Sequence, residues 1–552
     1  MKNFKKWVAT GAPWIWLNAA AVTACLLLVV GLLSLIAWRG LGHFWPASIQ
    51  EWIVQTETGE QVTLAGQLRE TETIPAERLR EAGVDLPPEL VEVDRTLLKV
   101  GNRDVTGQDF RWVLEPFVLE RSEPRSLFLL ERDEWGAFIG RLVGIKEDGT
   151  AVRADNINSE FEQRLARAES LRAEIHDLER GEIGKINYRL ERLRLAQRKL
   201  ELKGDNDPKA RAEIAREREG LEAEYRALEE RLIDFDRQIG RDSVVMRTAN
   251  GEERDLPLAT ILHAYQPNAM GLGSKMVHYL GKVWEFLSEE PREANTEGGI
   301  FPAIFGTILM VLLMSVVVTP FGVIAAVYLK EYATQGLLTR SIRVAVNNLA
   351  GVPSIVYGVF GLGFFVYTIG SSLDELFFES ALPAPTFGTG GLFWASLTLA
   401  LMTLPVVIVS TEEGLARIPR AIREGSLALG ATKWETLWRT ILPMASPAIM
   451  TGMILAIARA AGEVAPLMLV GVVKLAPSLP LDGNAPFLHL ERKFMHLGFH
   501  IYDVGFQSPN VEAARPLVYA TALLLVIVTI LLNIVAITVR NRLREKYRGL
   551  ET

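Results

Sequence analysis

An arginine and a glutamate four residues apart, Arg459 and Glu463, stand inside an apolar, small-residue stretch, AIARAAGEVAP at 456–466. On a helix that spacing puts both side chains on one face, about 6 Å apart at the backbone. Ionised groups in so oily a run are costly and are kept for a pathway or for a pairing partner. The guanidinium offers a planar fork that suits two oxygens of a tetrahedral oxyanion. The carboxylate can accept the proton that hydrogen phosphate carries and sulfate lacks, so the pair tolerates one and repels the other. Gly462, beside them, leaves room for backbone or ligand. A mutually neutralising structural pair is the competing reading.

A second constellation is polar: Glu424, Gly425, Ser426, Ala428, Gly430 and Ala431, with Leu442 and Pro443 further on. A helix-turn-helix with glycine at its corner, short side chains before it and basic flanks is a surface made to seat in another protein's groove. An ordinary amphipathic loop is the alternative. The spacing resembles the "EAA" coupling loop of ABC importer permeases: acid, six residues to glycine, thirteen more to proline. Gly425, Ser426 and Thr440 depart mildly from that pattern.

The elements that must hold these residues follow from how charge is distributed. Of 125 Asp, Glu, Lys and Arg residues, 88 lie between Glu51 and Gly298; that stretch is net −14, and the remainder is net +7. A polar, acidic block is inserted into a basic, oily chain. About 20 apolar residues cross the hydrocarbon as a helix, and six segments qualify: Trp14–Trp38, Ile300–Leu329, Val344–Gly370, Gly391–Thr411, Ala445–Val473 and Pro516–Val539. The first reads as an uncleaved anchor, since a small-residue cleavage signal is missing after it. Basic residues mark the cytoplasmic side: Lys2, Lys5 and Lys6, the 412–444 loop with Arg417, Arg420, Arg423, Lys433 and Arg439, and the 541–552 tail with Arg542, Arg544, Lys546 and Arg548. Both termini are therefore expected in the cytoplasm, residues 1–13 included, and the 39–298 insertion outside.

Within the insertion, 51–155 and 243–264 alternate apolar and polar residues between turn dipeptides such as Thr58-Gly59, Asp148-Gly149 and Asn250-Gly251, the pattern of a β domain. From 157 to 241 the period changes to steps of three and four, ending in the heptad series Leu221, Tyr225, Leu228, Leu232, Phe235, Ile239. A break at 203–209 makes this an antiparallel coiled-coil hairpin. The arm is too polar for lipid; it is expected to reach outward and to be removable from Asn158 to Arg241. One cysteine, Cys25, excludes a disulfide or multi-thiolate metal site, and no HExxH, CxxC or GxxxxGK[ST] motif occurs, so no metal, redox centre or intrinsic ATPase is expected.

Four blocks in order, PREANTEGGIFPAIFGT at 291–307, NNLAGVPSIVYGVFG at 347–361, LTLALMTLPVVI before Glu412-Glu413, and the run from LALGATKWETLWRTILP through ARAAGEVAPLM, resemble the PstA permease subunits of phosphate-specific ABC importers. The resemblance covers 291–540 closely and the first span loosely, and leaves the insertion unexplained. It implies a polytopic α-helical membrane protein with the type I importer permease fold in a bacterial inner membrane, with a core over 299–540. It implies that Glu424 to Pro443 docks on an ATPase dimer, that Arg459, Gly462 and Glu463 line the pathway, and that a second permease and a periplasmic phosphate-binding protein are partners. ATP and Mg are used by the ATPase; this chain binds no cofactor or nucleic acid and catalyses nothing. Transport of sulfate or molybdate, and a non-transport envelope protein using its coiled coil, are the rival readings.

Overall fold

The computed structural model describes residues 10–56, 59–153, 155–204, 207–508 and 511–547. Lys2, Lys5, Lys6, Thr58, Arg548 and the Lys546 side chain lie outside the described residues, as do Asp205 and Asn206 of the hairpin break. Among the described residues, six helical stretches are long and apolar enough to cross a membrane. Helix α1 (Ala12–Gly42) opens the chain. It leans on the last helix where Gly40 allows contact: a Cβ there would come within 2.9 Å of the Tyr519 carbonyl oxygen.

Residues 49–265 carry two antiparallel sheets. The first orders its strands β4 (Phe110–Leu114), β3 (Glu92–Lys99), β2 (Gln61–Pro75), β1 (Ile49–Gln55), β5 (Val118–Ser122). The second runs β10 (Glu253–Pro257), β9 (Asp242–Arg247), β7 (Phe138–Glu147), β6 (Leu127–Arg132), β11 (Ile261–Tyr265), with the short β8 (Thr150–Ala151) beside β7. Asp148 and Gly149 both take positive φ, as a tight hairpin following the strand twist requires. Ile49 and Ala65 of the first sheet pack on Leu127, Leu129 and Ile139 of the second.

Between β8 and β9 rise α2 (Ile157–His176), α3 (Gly184–Leu202) and α4 (Pro208–Ile239). The glycines at 181 and 184 coincide with a wide helical turn over Asp177–Ile183 rather than a break. Leu178, Ile183, Ile186, Leu221 and Leu228 form the seam. The hairpin touches the 482–492 loop, where the Tyr188 hydroxyl donates to the Ala485 carbonyl and its ring meets His489 at 5.9 Å, and within the insertion Arg180 pairs with Glu290. One expectation fails: the hairpin is not removable at Asn158, because Phe161 is 1% exposed and shares a core with Phe128, Phe138 and Val244 of the second sheet. Arg164 also pairs with Asp242, and Arg172 donates to the carbonyls of Ala259 and Ile261.

Helix α5 (Leu272–Ser288), which the alternation did not reveal, links the sheets to the spans. Its Leu272, Val277, Leu280 and Trp284 face away from the protein, while Lys282 joins Glu131 to Glu285. Lys99 with Glu297 and Arg103 with Glu293 complete the joint. Burial pushes the Glu297 carboxyl up, but Lys99 together with Arg292 and Lys282 outweighs it and holds the group below the ordinary carboxylate range.

The remaining spans differ in their limits from the hydropathy segments. Helix α6 (Phe301–Val327) continues through a wide turn to Tyr332. Val344 to Leu349 belong to a separate helix, α7 (Leu337–Leu349), because Gly351 and Pro353 end it before α8 (Ser354–Phe360), whose helical run reaches Phe377. Helix α9 (Leu392–Arg417) extends past Thr411 into the 412–444 region; with 67% of its apolar window buried it is the centre of the bundle. After a helical corner, α10 (Arg420–Ala428) and α11 (Lys433–Thr436), comes α12 (Leu442–Gly462). It approaches α9 through small residues: a Cβ on Gly414 would meet Ala448, and one on Gly452 would meet Ser410. The segment Ala445–Val473 is not one helix; α12 stops at Gly462 and α13 (Ala465–Val470) follows. After α14 (Leu497–Tyr502), the last helix, α15 (Val511–Tyr547), takes in most of the anticipated tail.

Replacing 158–241 by a Gly/Ser linker removes Phe161 from its core, which costs about 3–5 kcal/mol by analogy with aromatic truncations, and is expected to unfold or strongly destabilise the β unit. A linker replacing 177–231 keeps Phe161, Arg164 and Arg172 and is expected to leave its thermal transition close to the parent's. Equal melting of the two deletions would show that the hairpin base contributes nothing to the sheets.

Candidate functional site

Helix α12 buries Ala456, Ile457, Ala460 and Ala461 against Met310, Met314 and Leu399. Arg459 lies off that buried face, and its side chain is 32% exposed, that of Glu463 22%. The two approach at 3.6 Å, Arg459 Nε to Glu463 Oε1. The helical-face argument for this pair needs correction. Glu463 is not within the helix; it caps it in extended conformation, φ −81° and ψ 132°, its amide donating to the Ala460 carbonyl at 3.3 Å. Pro466 is the cause, since it has no amide hydrogen and its ring would clash with the carbonyl of residue 462 in a continued helix. The pair therefore sits at a helix end, not midway along one. A Cβ on Gly462 would meet nothing within 4 Å, so the space beside the pair is open.

The break is held from the other side by α8. A Cβ on Gly358 would fall 2.7 Å from Pro466 Cα, and one on Gly361 would press on Thr398 and Val470. The Tyr357 hydroxyl donates to the Leu349 carbonyl at 2.6 Å, tying α8 to α7. A fork and a carboxylate over open space can bind a protonated oxyanion or pair with each other, as the residues themselves suggested.

At the corner, α10 and α11 meet at Gly430, φ +88°. A Cβ there would touch nothing within 4 Å, so the glycine is required by its left-handed backbone and not by crowding within this chain. Ser426 Oγ and Thr436 Oγ1 hydrogen-bond at 2.9 Å across the corner, and Thr432 with Glu435 forms a capping box at the start of α11. Glu424, Gly425 and Ala428 are exposed and Ala431 is half-buried, all on this corner. Leu442 and Pro443 are not; they begin α12 after a wide turn over Leu437–Ile441 and are half-buried.

Sequence reasoning missed two sets of residues. Leu427, Leu429, Trp434 and Trp438 form an exposed apolar surface around the corner, with Leu429 91% exposed and the two indoles stacked at 5.8 Å. Large apolar residues in a charged segment were the available signal. Arg423, read only as a topology charge, holds the corner to the bundle: it donates to the carbonyls of Ile418 at 2.8 Å and Leu415 at 2.7 Å and pairs with Glu331 at 3.0 Å, while Lys433 Nζ donates to the Glu331 carbonyl at 2.6 Å.

Residues 318–549, which contain both constellations, match the family "Binding-protein-dependent transport system inner membrane component". The phosphate transport system permease protein PstC of Xylella fastidiosa (strain Temecula1) is 31% identical over 222 residues, covering 38% of this chain and 68% of that protein. The chain belongs to this family of transport-system membrane components. The phosphate transport system permease protein PstA 1 of Mycobacterium tuberculosis (strain CDC 1551) is 38% identical over 196 residues, 35% of this chain and 58% of its own length. The chain thus spans rather more than half the length of this PstA relative. The inward-facing MetNI methionine ABC transporter aligns with 44% of this chain and 94% of its own at 19% identity, with a TM-score of 0.32.

The backbone requirement at Gly430 predicts a graded series. Gly430→Val forces a β-branched residue into the left-handed region at a cost on the order of 1–2 kcal/mol, whereas asparagine tolerates that region. Limited proteolysis of the purified protein should cut the 428–433 corner faster in Gly430→Val and near the parental rate in Gly430→Asn. Equal rates for the two variants would place the glycine's role elsewhere.

Proposed function

We propose that this chain is a PstA-type permease subunit of an ATP-driven inorganic phosphate importer. The observation that carries this is the Arg459–Glu463 pair, 3.6 Å apart at the end of α12, with Arg459 turned from the helix's own core and open space beside it at Gly462. A second, homologous permease would cover that face and complete the pathway. Phosphate-transport relatives named PstA and PstC support the substrate, and the RAxGE pattern gives it a chemistry: Arg459 binds phosphate oxygens, and Glu463 accepts the proton of hydrogen phosphate. Sulfate and molybdate, which bring no such proton, are disfavoured. A bare envelope anchor requires neither this pair nor the corner.

The corner then docks in a groove of an ATPase subunit pair, with Leu429, Trp434 and Trp438 as its anchors and Glu424, Gly425, Ser426, Ala428, Gly430 and Ala431 as the close-packed ridge. Leu442 and Pro443 fix the foot of α12 behind it, so movement of the corner reaches Arg459 through one helix. ATP and Mg belong to the ATPase; this chain performs no covalent step. A phosphate-binding protein delivers the ion at the outer face. In this reading both termini are cytoplasmic in a bacterial inner membrane, and the 39–298 insertion, a β unit with an antiparallel coiled-coil hairpin, is periplasmic.

The test is phosphate uptake by proteoliposomes holding the copurified complex. Arg459→Ala removes the fork and is expected to lower uptake by at least about tenfold, the worth of a hydrogen bond to a charged group. Glu463→Gln keeps shape and can donate, so it is expected to admit sulfate as a competitor. Sulfate exclusion as strict as the parent's in Glu463→Gln would sink the proton-reading role and leave the pair structural.

A further inference from the structure

Beside the pathway, the outer ends of α1 and α15 and the underside of β2 enclose a pocket of about 420 Å³. Three arginines from three elements line it: Arg39 near the end of α1, Arg515 in the first turns of α15, and Arg69 on β2. Arg69 enters because β2 bulges there: Leu68 pairs with Leu98 and Glu70 with Leu97, leaving Arg69 as the extra residue. The close packing at Gly40 against Tyr519 and Ala520 brings Arg39 and Arg515 to one end of the helix pair.

Among the described residues these cations are poorly compensated. Arg515 stands 3.8 Å from Glu70, Arg39 lies over the Tyr519 ring at 5.4 Å, and Arg69 donates to the neutral Gln67 side chain at 3.1 Å. His43, which also lines the pocket, has a buried Nδ1 without a partner. Burial, followed by the positive charge of Arg69 and Lys99, pushes its imidazole down to about 3, so it stays neutral and adds no charge of its own. The lining of this pocket is therefore net positive, three guanidiniums with Glu70 as the carboxylate among them, while Glu297 acts on Arg69 from outside the pocket.

The rim indicates which anion. Trp38 is 82% exposed and Trp45 39%, both beside the pocket where an apolar helix leaves the bilayer. Leu35 and Leu41 near them are exposed as well. Indoles of this kind mark the headgroup depth of a membrane, and guanidiniums at that depth suit phosphate oxygens through charge-assisted hydrogen bonds. We propose that this pocket binds the phosphate group of an anionic phospholipid, with Arg39, Arg69 and Arg515 on the phosphate oxygens and the acyl chains along the exposed face of α1. The lipid then ties α1, α15 and the β unit together at their junction. This site is separate from Arg459 and stands whether or not the chain transports phosphate.

The test uses the full-length protein in detergent, with phosphatidylglycerol, phosphatidylcholine or inorganic phosphate added and retained ligand read by native mass spectrometry. Arg39 and Arg515 are exposed, so Arg39→Gln and Arg515→Gln should fold normally. Each is expected to weaken phosphatidylglycerol retention about fivefold, the worth of one basic side chain at an anionic lipid surface, with phosphatidylcholine retained little by parent or variant. Glu70→Gln removes the opposing carboxylate and should strengthen retention, a change that damage to the fold would not produce. Saturable binding of inorganic phosphate in place of lipid, lost in the double arginine variant, would keep the phosphate site and assign it to the free ion. Undiminished phosphatidylglycerol retention in that double variant would overturn the proposal.

Discussion

Pro466 has no amide hydrogen to continue the helix that carries Arg459, and much of the site's geometry follows from that. A straight helix through 445–473 would carry Arg459 and Glu463 along one wall, with their backbone groups satisfied in the ladder. Because the ladder stops at Gly462, Glu463 becomes a cap and its side chain folds back toward the guanidinium. Unsatisfied backbone in hydrocarbon is expensive, so a break inside a span persists only where protein or a water-lined cavity surrounds it. Here α8 supplies the protein side through Gly358 and Gly361, and the open space at Gly462 is the other side.

The same helix connects this break to the corner at Gly430. Its foot follows a wide turn over Leu437–Ile441, and its flank is pressed to α9 through Gly414 and Gly452, where side chains larger than a hydrogen would force the helices apart. Arg423 and Lys433 fasten the corner to Glu331 at the end of α6. A push on the exposed Leu429 and the stacked indoles therefore meets a braced element and not a loose loop. That bracing is what the proposed docking role requires, since a corner that yielded locally would transmit nothing to Arg459.

The outer part has its own logic. The helical hairpin is fused to the second sheet by Phe161, Arg164 and Arg172 and leans on the 482–492 loop through Tyr188 and His489. It bridges the β unit to the loop between α13 and α14. Asp482 organises that loop: burial raises its carboxyl, but the Asn484 amide, Arg492 and His489 together hold it down at about 2. Asp482 thus keeps its charge above that pH.

The residues alone were enough for what depends on composition and short spacing. Long apolar runs declared the six spans, period two and period three-to-four separated the sheets from the hairpin, and the 424–443 spacing marked the corner, because each is a local consequence of burial or backbone geometry. Arg459 and Glu463 were legible as an uncommon charged pair. Their placement was not, because hydropathy averages over a proline and cannot see a helix end inside an apolar run. Only the tertiary structure decided that Phe161 belongs to the sheet core, that Tyr188 meets Ala485 almost 300 residues away, and that Arg39, Arg69 and Arg515 share one pocket. Those are juxtapositions of distant segments, set by how sheets, bulges and helix ends pack in three dimensions, and no periodicity along the chain encodes them.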